Sequence, residues 1–382
     1  MPAAGDTRRR STVQALLTDL CSSPVSVGTW ERLEPWAVAR ATLRGAMAPR
    51  TVIVKWVRDH PNGTRTEPSR LRTELAALRF LSDDLGLSLA PRVIAADPDE
   101  GVMVLEDLAP RTALDRLLRR DGATTHAERL AVFARAHGEL NAATAGRAEL
   151  YSARLTSLGV RSRSTCPAGH PARLRDGHRT HATALGAPVT GPAQVELDAA
   201  LAELINPGPF LVLSNGDPET NNILLHESGP TDPRLIDFES AGYTHALVDA
   251  VCLHVPGPAW MTVGDPLADG LADHYRRALA GGVPEAEDDR RYGFGLAAAC
   301  FSWAIVRLQR YPLLDSRAPG DDSRLQLVET LEAAARTART HRTFPHLAGW
   351  AGHAADRLRR RWPDADLDFT DRAAFPPYTA RR

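Results

Sequence analysis

Asp217, Asn222 and Asp237 stand within one stretch, residues 210–249, with types and spacings that could do chemistry. Asp217 closes Asn215-Gly216-Asp217 after an apolar run at 210–213, and Asn222 precedes the apolar Ile223-Leu224-Leu225. A turn-rich loop at 226–233, carrying Gly229, Pro230 and Pro233, leads to Leu235-Ile236 and then Asp237. The two apolar runs predict a hairpin, with Asn222 at the start of one strand and Asp237 at the end of the other. Pairing brings amide and carboxylate together, and Asp217 enters the same edge from the loop. Phosphoryl transfer from a nucleotide needs such a set. One carboxylate orients or deprotonates the attacking hydroxyl; an amide and a second carboxylate hold magnesium, a hard cation that takes oxygen ligands.

The order D-x-x-x-x-N, strand, loop, strand, D-F resembles the catalytic and metal-binding segments of the protein-kinase-like fold. Gly216-Asp217, Asn222-Ile223-Leu224 and Ile236-Asp237-Phe238-Glu239 resemble, more specifically, the aminoglycoside phosphotransferase family of small-molecule kinases. Asp249 matches a structural aspartate that this family places downstream, whereas Asn215 stands where the family usually has histidine. The resemblance implies Asp217 as the catalytic residue, Asn222 and Asp237 as magnesium ligands and Glu239 as an accessory one, and ATP as the phosphate donor.

The elements that must position these groups come earlier in the chain. Three strand-like pieces at 25–33, 37–43 and 51–57 are separated by Glu34-Pro35-Trp36 and Arg44-Gly45-Ala46, consistent with an antiparallel meander. Lys55 is the one charged residue in T-V-I-V-K-W-V, and a lysine among buried β-branched neighbours is costly without an anionic partner. Kinase-like folds carry a phosphate-contacting lysine on their third strand, so the resemblance assigns that part to Lys55. It assigns the ion-pairing glutamate to Glu74, on a predicted helix at 69–82 with Leu71, Leu75 and Leu78 at helical period, ahead of Glu67. V-M-V-L-E-D-L, ending in Glu106-Asp107-Leu108, resembles the hinge whose backbone groups at Glu106 and Leu108 bind the adenine edge. The turn at 33–37 lacks the glycines of a phosphate loop.

The resulting fold class is α+β, two-lobed and protein-kinase-like. An antiparallel-sheet nucleotide lobe spans 1–105, a hinge 106–110, a mainly helical catalytic and substrate lobe 111–362, and an extended tail 363–382. Helices are predicted at 13–20, 113–120, 127–143, 266–280, 292–309, 325–339 and 353–361, with residues 1–12 disordered and an arginine-rich, partly ordered insertion at 151–183.

Composition narrows the setting. A net charge of −1 gives no global attraction for nucleic acid or an anionic membrane. Four scattered cysteines without a C-x-x-C pair, and no apolar leader or span-length apolar run, predict a cytoplasmic protein with reduced thiols. The expected partner is a small molecule bearing a hydroxyl acceptor, aminoglycoside-like, amino alcohol or sugar; no oligomer is specified. Acidic clusters at 285–289 and 315–322 would suit a polycation, and the arginines of 151–183 an anionic sugar or acid. The rival reading is a nucleotide-binding regulatory protein of the same fold that has lost catalysis. Asn215 and the missing glycines favour it, and the retention of Lys55, Asp217, Asn222 and Asp237 opposes it.

Overall fold

Strict alternation of burial at residues 38–43 and 51–56 builds a sheet with two covered faces. The computed structural model describes residues 4–33, 37–57, 68–160 and 178–381. Helix α1 (Ala4–Cys21) leads into β1 (Ser26–Arg32), β2 (Val38–Arg44) and β3 (Thr51–Trp56); helix α2 (Pro68–Arg79) then precedes β4 (Val93–Asp97) and β5 (Val102–Glu106). The strands form one antiparallel sheet in the order β1-β2-β3-β5-β4. Ala39, Ala41, Val52, Val54 and Val104 pack on one face with Val13 and Leu17 of α1. Met103 and Leu105 point to the other face, toward Leu71, Leu75 and the large core of the rest of the chain. Period-2 geometry puts Ile53, Lys55 and Val57 on that second, interior face.

Residues 1–12, expected to be disordered, are helical from Ala4 onward. Tertiary contacts account for the difference. Buried Asp6 pairs with Arg32 of β1 at 3.1 Å, and the Arg9 guanidinium lies 4.8 Å from the centre of the Trp56 ring. The turn at Glu34-Pro35-Trp36 and the candidate Glu67 lie outside the described residues.

Past the hinge come β6 (Thr112–Ala113) and helices α3 (Leu114–Asp121), α4 (Ala127–Thr144), α5 (Ala148–Ser157) and α6 (Pro192–Ile205). Strands β7 (Leu211–Ser214), β8 (Ile223–Leu225), β9 (Arg234–Leu235) and β10 (Gly242–His245) follow. They form a β6-β8-β9 sheet and a β10-β7 pair. Helices α7 (Leu247–His254), α8 (Leu271–Ala280), α9 (Asp289–Leu308), α10 (Tyr311–Asp315), α11 (Asp322–Thr340) and α12 (Pro345–Arg361) complete the larger lobe.

Four of these helices, α5, α6, α7 and the five-residue α10, escape periodicity. Helix α7 has Leu247, Asp249, Ala250, Val251, Cys252, Leu253 and His254 all buried, so it presents no amphipathic stripe. Helices α5 and α6 flank or fall near the arginine-rich insertion; Tyr151 and Leu155 of α5 are nonetheless buried, and Arg154 pairs with Asp84. Helix α8 begins later than its apolar pattern suggests, because Gly270 takes a left-handed φ of 72° and stops the helix from extending backward.

The last stretch, expected as an extended tail, is largely irregular and attached to the larger lobe. Trp260 bridges to Ala380, the Met261 N–H donates to Thr379 O at 2.7 Å, and Tyr378 is buried edge-on against the Trp260 ring. Among the described residues no helix is long and apolar enough to cross a membrane.

Candidate active site

Lys55 is the only lysine in the chain; every other member of the 46 lysines and arginines is arginine. Its ammonium donates to both Glu74 oxygens at 2.7 and 2.8 Å and to Asp237 Oδ1 at 3.0 Å. A compact ammonium fits between three carboxylate oxygens where a planar guanidinium would not. Burial alone would push the Lys55 pKa down, but Glu74 and Asp237 outweigh it and hold the group above its usual value. Glu74 is pushed up by burial, against the pull of Lys55. Helix α2 and strand β3 thus meet the β9 end of the larger lobe at one point.

Asp237 adopts a left-handed φ of 64°, a conformation that aspartate tolerates better than most residues. One residue, Ile236, separates this bend from β9, and the carboxylate accepts from Lys55. The Ile236 N–H donates to Asn222 O at 2.9 Å, which holds the predicted hairpin closed and sets Asn222 beside Asp237. Asn222 Nδ2 in turn donates to Asp217 O at 2.8 Å and to Asp217 Oδ2 at 2.9 Å. Burial raises the Asp217 pKa, the Asn222 hydrogen bond lowers it, and the negative charges of Asp237 and Glu239 add to the rise. The structure therefore brings Lys55, Glu74, Asp217, Asn222 and Asp237 into one cluster.

The loop closes without a histidine at 215. Asn215 is fully buried; its Oδ1 accepts the Asp217 N–H at 3.2 Å and its Nδ2 reaches Asp217 O at 3.3 Å. Gly216 has a φ of 84°, and a Cβ there would strike the Ser240 carbonyl, so only glycine fits this turn. Beneath the loop, buried Asp249 accepts from Ser214 Oγ at 2.5 Å and from Asn141 Nδ2 at 2.9 Å. Asn141 Oδ1 accepts from Tyr275 OH at 2.7 Å, and Ser214 Oγ accepts the Gly216 N–H at 2.9 Å. Asn141, Ser214 and Tyr275 have no sequence motif of their own. Only the packing of α4 and α8 under β7 makes them part of the site.

Burial drives the Asp249 pKa up to about 6, with the Ser214 and Asn141 hydrogen bonds opposing the rise. The folded chain binds this proton more tightly than the unfolded chain. Stability from this group is therefore complete below the ordinary value of 3.8 and is lost as pH rises through about 6. The loss is about 3 kcal/mol. Asp249→Asn has no such titration, so its denaturant-unfolding free energy should lack this part of the pH slope between pH 4 and 7. Parallel slopes for parent and variant would show that Asp249 titrates normally.

At the hinge, the Glu106 side chain turns to Arg92, accepting its backbone N–H at 3.2 Å, and Asp107 accepts from Arg40 Nε at 2.9 Å. Leu108 O accepts from the Arg111 backbone at 3.1 Å, while the Leu108 N–H has no partner among the described residues. The Glu239 carboxylate pairs with Arg70 at 2.9 Å.

The acidic clusters are engaged in structural contacts. Asp288 caps α9, Asp289 pairs with Arg276 at 2.7 Å, Asp315 with Arg361 at 3.0 Å, and Asp321 caps α11 while pairing with Arg317. A carboxylate that sequence patterning did not single out lies much closer to Asp217. This is Glu219, 8% exposed, whose pKa burial raises to about 8.

The model of the phosphotransferase enzyme family matches residues 41–294, well over half of the chain and the whole span from β2 into α9. The chain belongs to this family. The membership agrees with the resemblance seen at Gly216-Asp217 and Ile236-Asp237-Phe238-Glu239, and with the two-lobed kinase-like fold. Among solved structures, this phosphotransferase is similar to a putative aminoglycoside phosphotransferase from Ralstonia eutropha, 15% identical, TM-score 0.47, covering 92% of this chain and 98% of that one. It is also similar to a choline/ethanolamine kinase family protein from Mesorhizobium loti (19%, TM-score 0.42, 86% and 92% covered). An ethanolamine kinase from Plasmodium vivax is a further likeness (11%, TM-score 0.47, 83% of each chain). No curated protein matches the sequence. The family model, and not these likenesses, carries the assignment.

Proposed function

We propose that this phosphotransferase moves the γ-phosphate of ATP, with magnesium, to a hydroxyl of a small molecule. The observation that carries the reading is the convergence of Lys55–Glu74, from the sheet lobe, with Asp217, Asn222 and Asp237, from the helical lobe. Lys55, held by Glu74, would contact the nucleotide phosphates, and the free Leu108 N–H with the Glu106 backbone would meet the adenine edge. The donor set suits magnesium. Asn222 Oδ1 and the Asp237 oxygen not bonded to Lys55 are hard ligands, and magnesium needs few protein oxygens when phosphates and water supply the rest. Bound there, the ion would neutralise charge between the transferring phosphates.

Asp217 orients the acceptor hydroxyl and takes its proton. Burial and the charges of Asp237 and Glu239 raise its pKa, which makes it a stronger base than an ordinary carboxylate. Asn222 fixes the Asp217 carboxylate through Oδ2, leaving Oδ1 for the acceptor. The test is a phosphate-transfer screen with ATP against aminoglycosides, amino alcohols, sugars and hydroxy acids. Release of ADP dependent on one acceptor class supports the reading. ATP binding without transfer to any acceptor favours a regulatory protein that has lost catalysis.

A second measurement follows the metal. Titration calorimetry should give tighter ATP binding with magnesium than without it, by about tenfold or more, because Asn222 and Asp237 act on phosphate through the ion. Asp237→Ala should remove the difference. Equal affinities in the parent would remove magnesium from the proposed site.

A further inference from the structure

A buried carboxyl group and a half-buried guanidinium stand beside the loop that carries Asp217 without touching. Glu219, two positions after Asp217, is the one buried carboxylate close to that loop for which no hydrogen bond or ion pair is found among the described residues. Its two oxygens lie over Gly257 so closely that any Cβ at 257 would collide with them. Gly257 O and Trp260 O both accept from Gln326 Nε2, at 2.7 and 2.6 Å, and Trp260 Nε1 donates to Thr220 Oγ1 at 3.1 Å. Gln326 Oε1 holds Arg307 Nη2 at 2.6 Å, and the Arg307 guanidinium stacks over Trp303 at 5.5 Å. Glu219 and Arg307 are thus tied into one wall beside the catalytic loop. They attract one another, yet no ion pair joins them.

Arg307 is half-buried, and Arg310 and Arg381 stand near enough to repel it. The Arg310 side chain has no partner among the described residues. Arg381 donates only to neutral oxygens, at Pro258, Gln326 and Ser323, and its Nε is buried without a partner. The acidic groups that face this arginine cluster are Asp321 and Asp322, toward Arg381, with Arg317 beside them. Burial without a partner holds the proton on the Glu219 carboxyl up to about pH 8, and no ion pair is found for Arg307 or Arg310 among the described residues. A ligand that brings an ammonium to one and an anion to the other would relieve both.

We propose that the acceptor is a zwitterion of the hydroxy-amino acid class, its ammonium at Glu219, its carboxylate at Arg307 with Arg310 beside it, and its hydroxyl at Asp217. This rests on the kinase reading above. In the step, the hydroxyl oxygen bonds to the γ-phosphorus and the bond from that phosphorus to the bridging oxygen of ATP breaks. ADP leaves, and the hydroxyl proton passes to the Asp217 carboxylate. Polycationic sugars, neutral sugars and simple amino alcohols each leave at least one of the two charges unmet.

The test compares each hydroxy-amino acid with its two truncations: serine with ethanolamine and 3-hydroxypropionate, homoserine with 3-aminopropan-1-ol and 4-hydroxybutyrate. At least one parent acceptor should exceed both of its truncations in kcat/KM, by roughly tenfold to a hundredfold for each charge removed. Glu219→Gln should erase the preference for an amine and Arg307→Gln the preference for a carboxylate, with ATP affinity unchanged in both. The truncation series is measured on the unaltered chain, so it stands even if Arg307→Gln folds poorly. Transfer to amino alcohols or sugars equal to or better than to any zwitterion overturns the inference and leaves the kinase reading intact. A Glu219→Gln variant that loses activity equally on all acceptors makes Glu219 structural and also overturns it. No transfer to any acceptor defeats the kinase reading itself, and the inference with it.

Discussion

Asp217→Asn lowers turnover by about 10²–10⁴-fold, a barrier increase of roughly 3–5 kcal/mol, while ATP affinity stays near that of the parent. The substitution preserves the shape of the loop. The amide that replaces the carboxylate would still offer an oxygen to Asn222 Nδ2, and the backbone carbonyl at 217 would still accept from Asn222 and Asn215. The proton acceptor is what disappears. Asp217 also contributes negative charge near Asp237, so its neutralisation does not weaken the phosphate end of the site. Turnover on the best acceptor and calorimetric ATP affinity, measured on the same variant, check this. Unchanged turnover removes Asp217 as the base. A fall in both quantities together points to a collapsed loop, to be traced by the melting temperature.

Lys55→Met costs about 3–5 kcal/mol of stability and abolishes ATP turnover, whereas Lys55→Met with Glu74→Leu recovers most of the stability and none of the turnover. The single substitution leaves the Glu74 carboxylate buried, with Asp237 nearby and no cation between them. Replacing both partners by apolar groups removes that unpaired charge, and such a swap of a buried pair is often neutral. A double-mutant cycle by denaturant unfolding should therefore show a coupling of about 2–3 kcal/mol. Lys55→Arg should behave like a loss and not like a conservative change, since the ammonium occupies a gap bounded by three carboxylate oxygens. Additive single effects would mean that the pair is not coupled. ATP turnover surviving in the double variant would take Lys55 out of the nucleotide site.

The Asp217, Asn222 and Asp237 cluster was legible because its spacing is local. Five residues from loop to strand, and a hairpin that returns, leave few ways to arrange three side chains. Lys55 was legible for a different reason, a charge in a strand of buried β-branched residues, and its standing as the only lysine in an arginine-rich chain strengthens that signal. Most strands and the long amphipathic helices followed from periods of two and 3.6.

What the sequence could not determine is whatever depends on contacts between distant segments. Helix α1 extends to Ala4 because Asp6 and Arg9 find Arg32 and Trp56, residues on other strands. Helix α7 was hidden because a segment buried all round has no polar face to mark its period. Asn141, Ser214 and Tyr275 joined the site only when α4, β7 and α8 packed together around Asp249. The sequence singled out the groups proposed for phosphoryl transfer, through residue type and short spacing together with the family resemblance. Tertiary structure alone decided that the acidic clusters at 285–289 and 315–322 serve helix caps and ion pairs. It also decided that Glu219 and Arg307, 88 positions apart, stand near the loop that carries Asp217, because burial and long-range charge are properties of packing and not of sequence order.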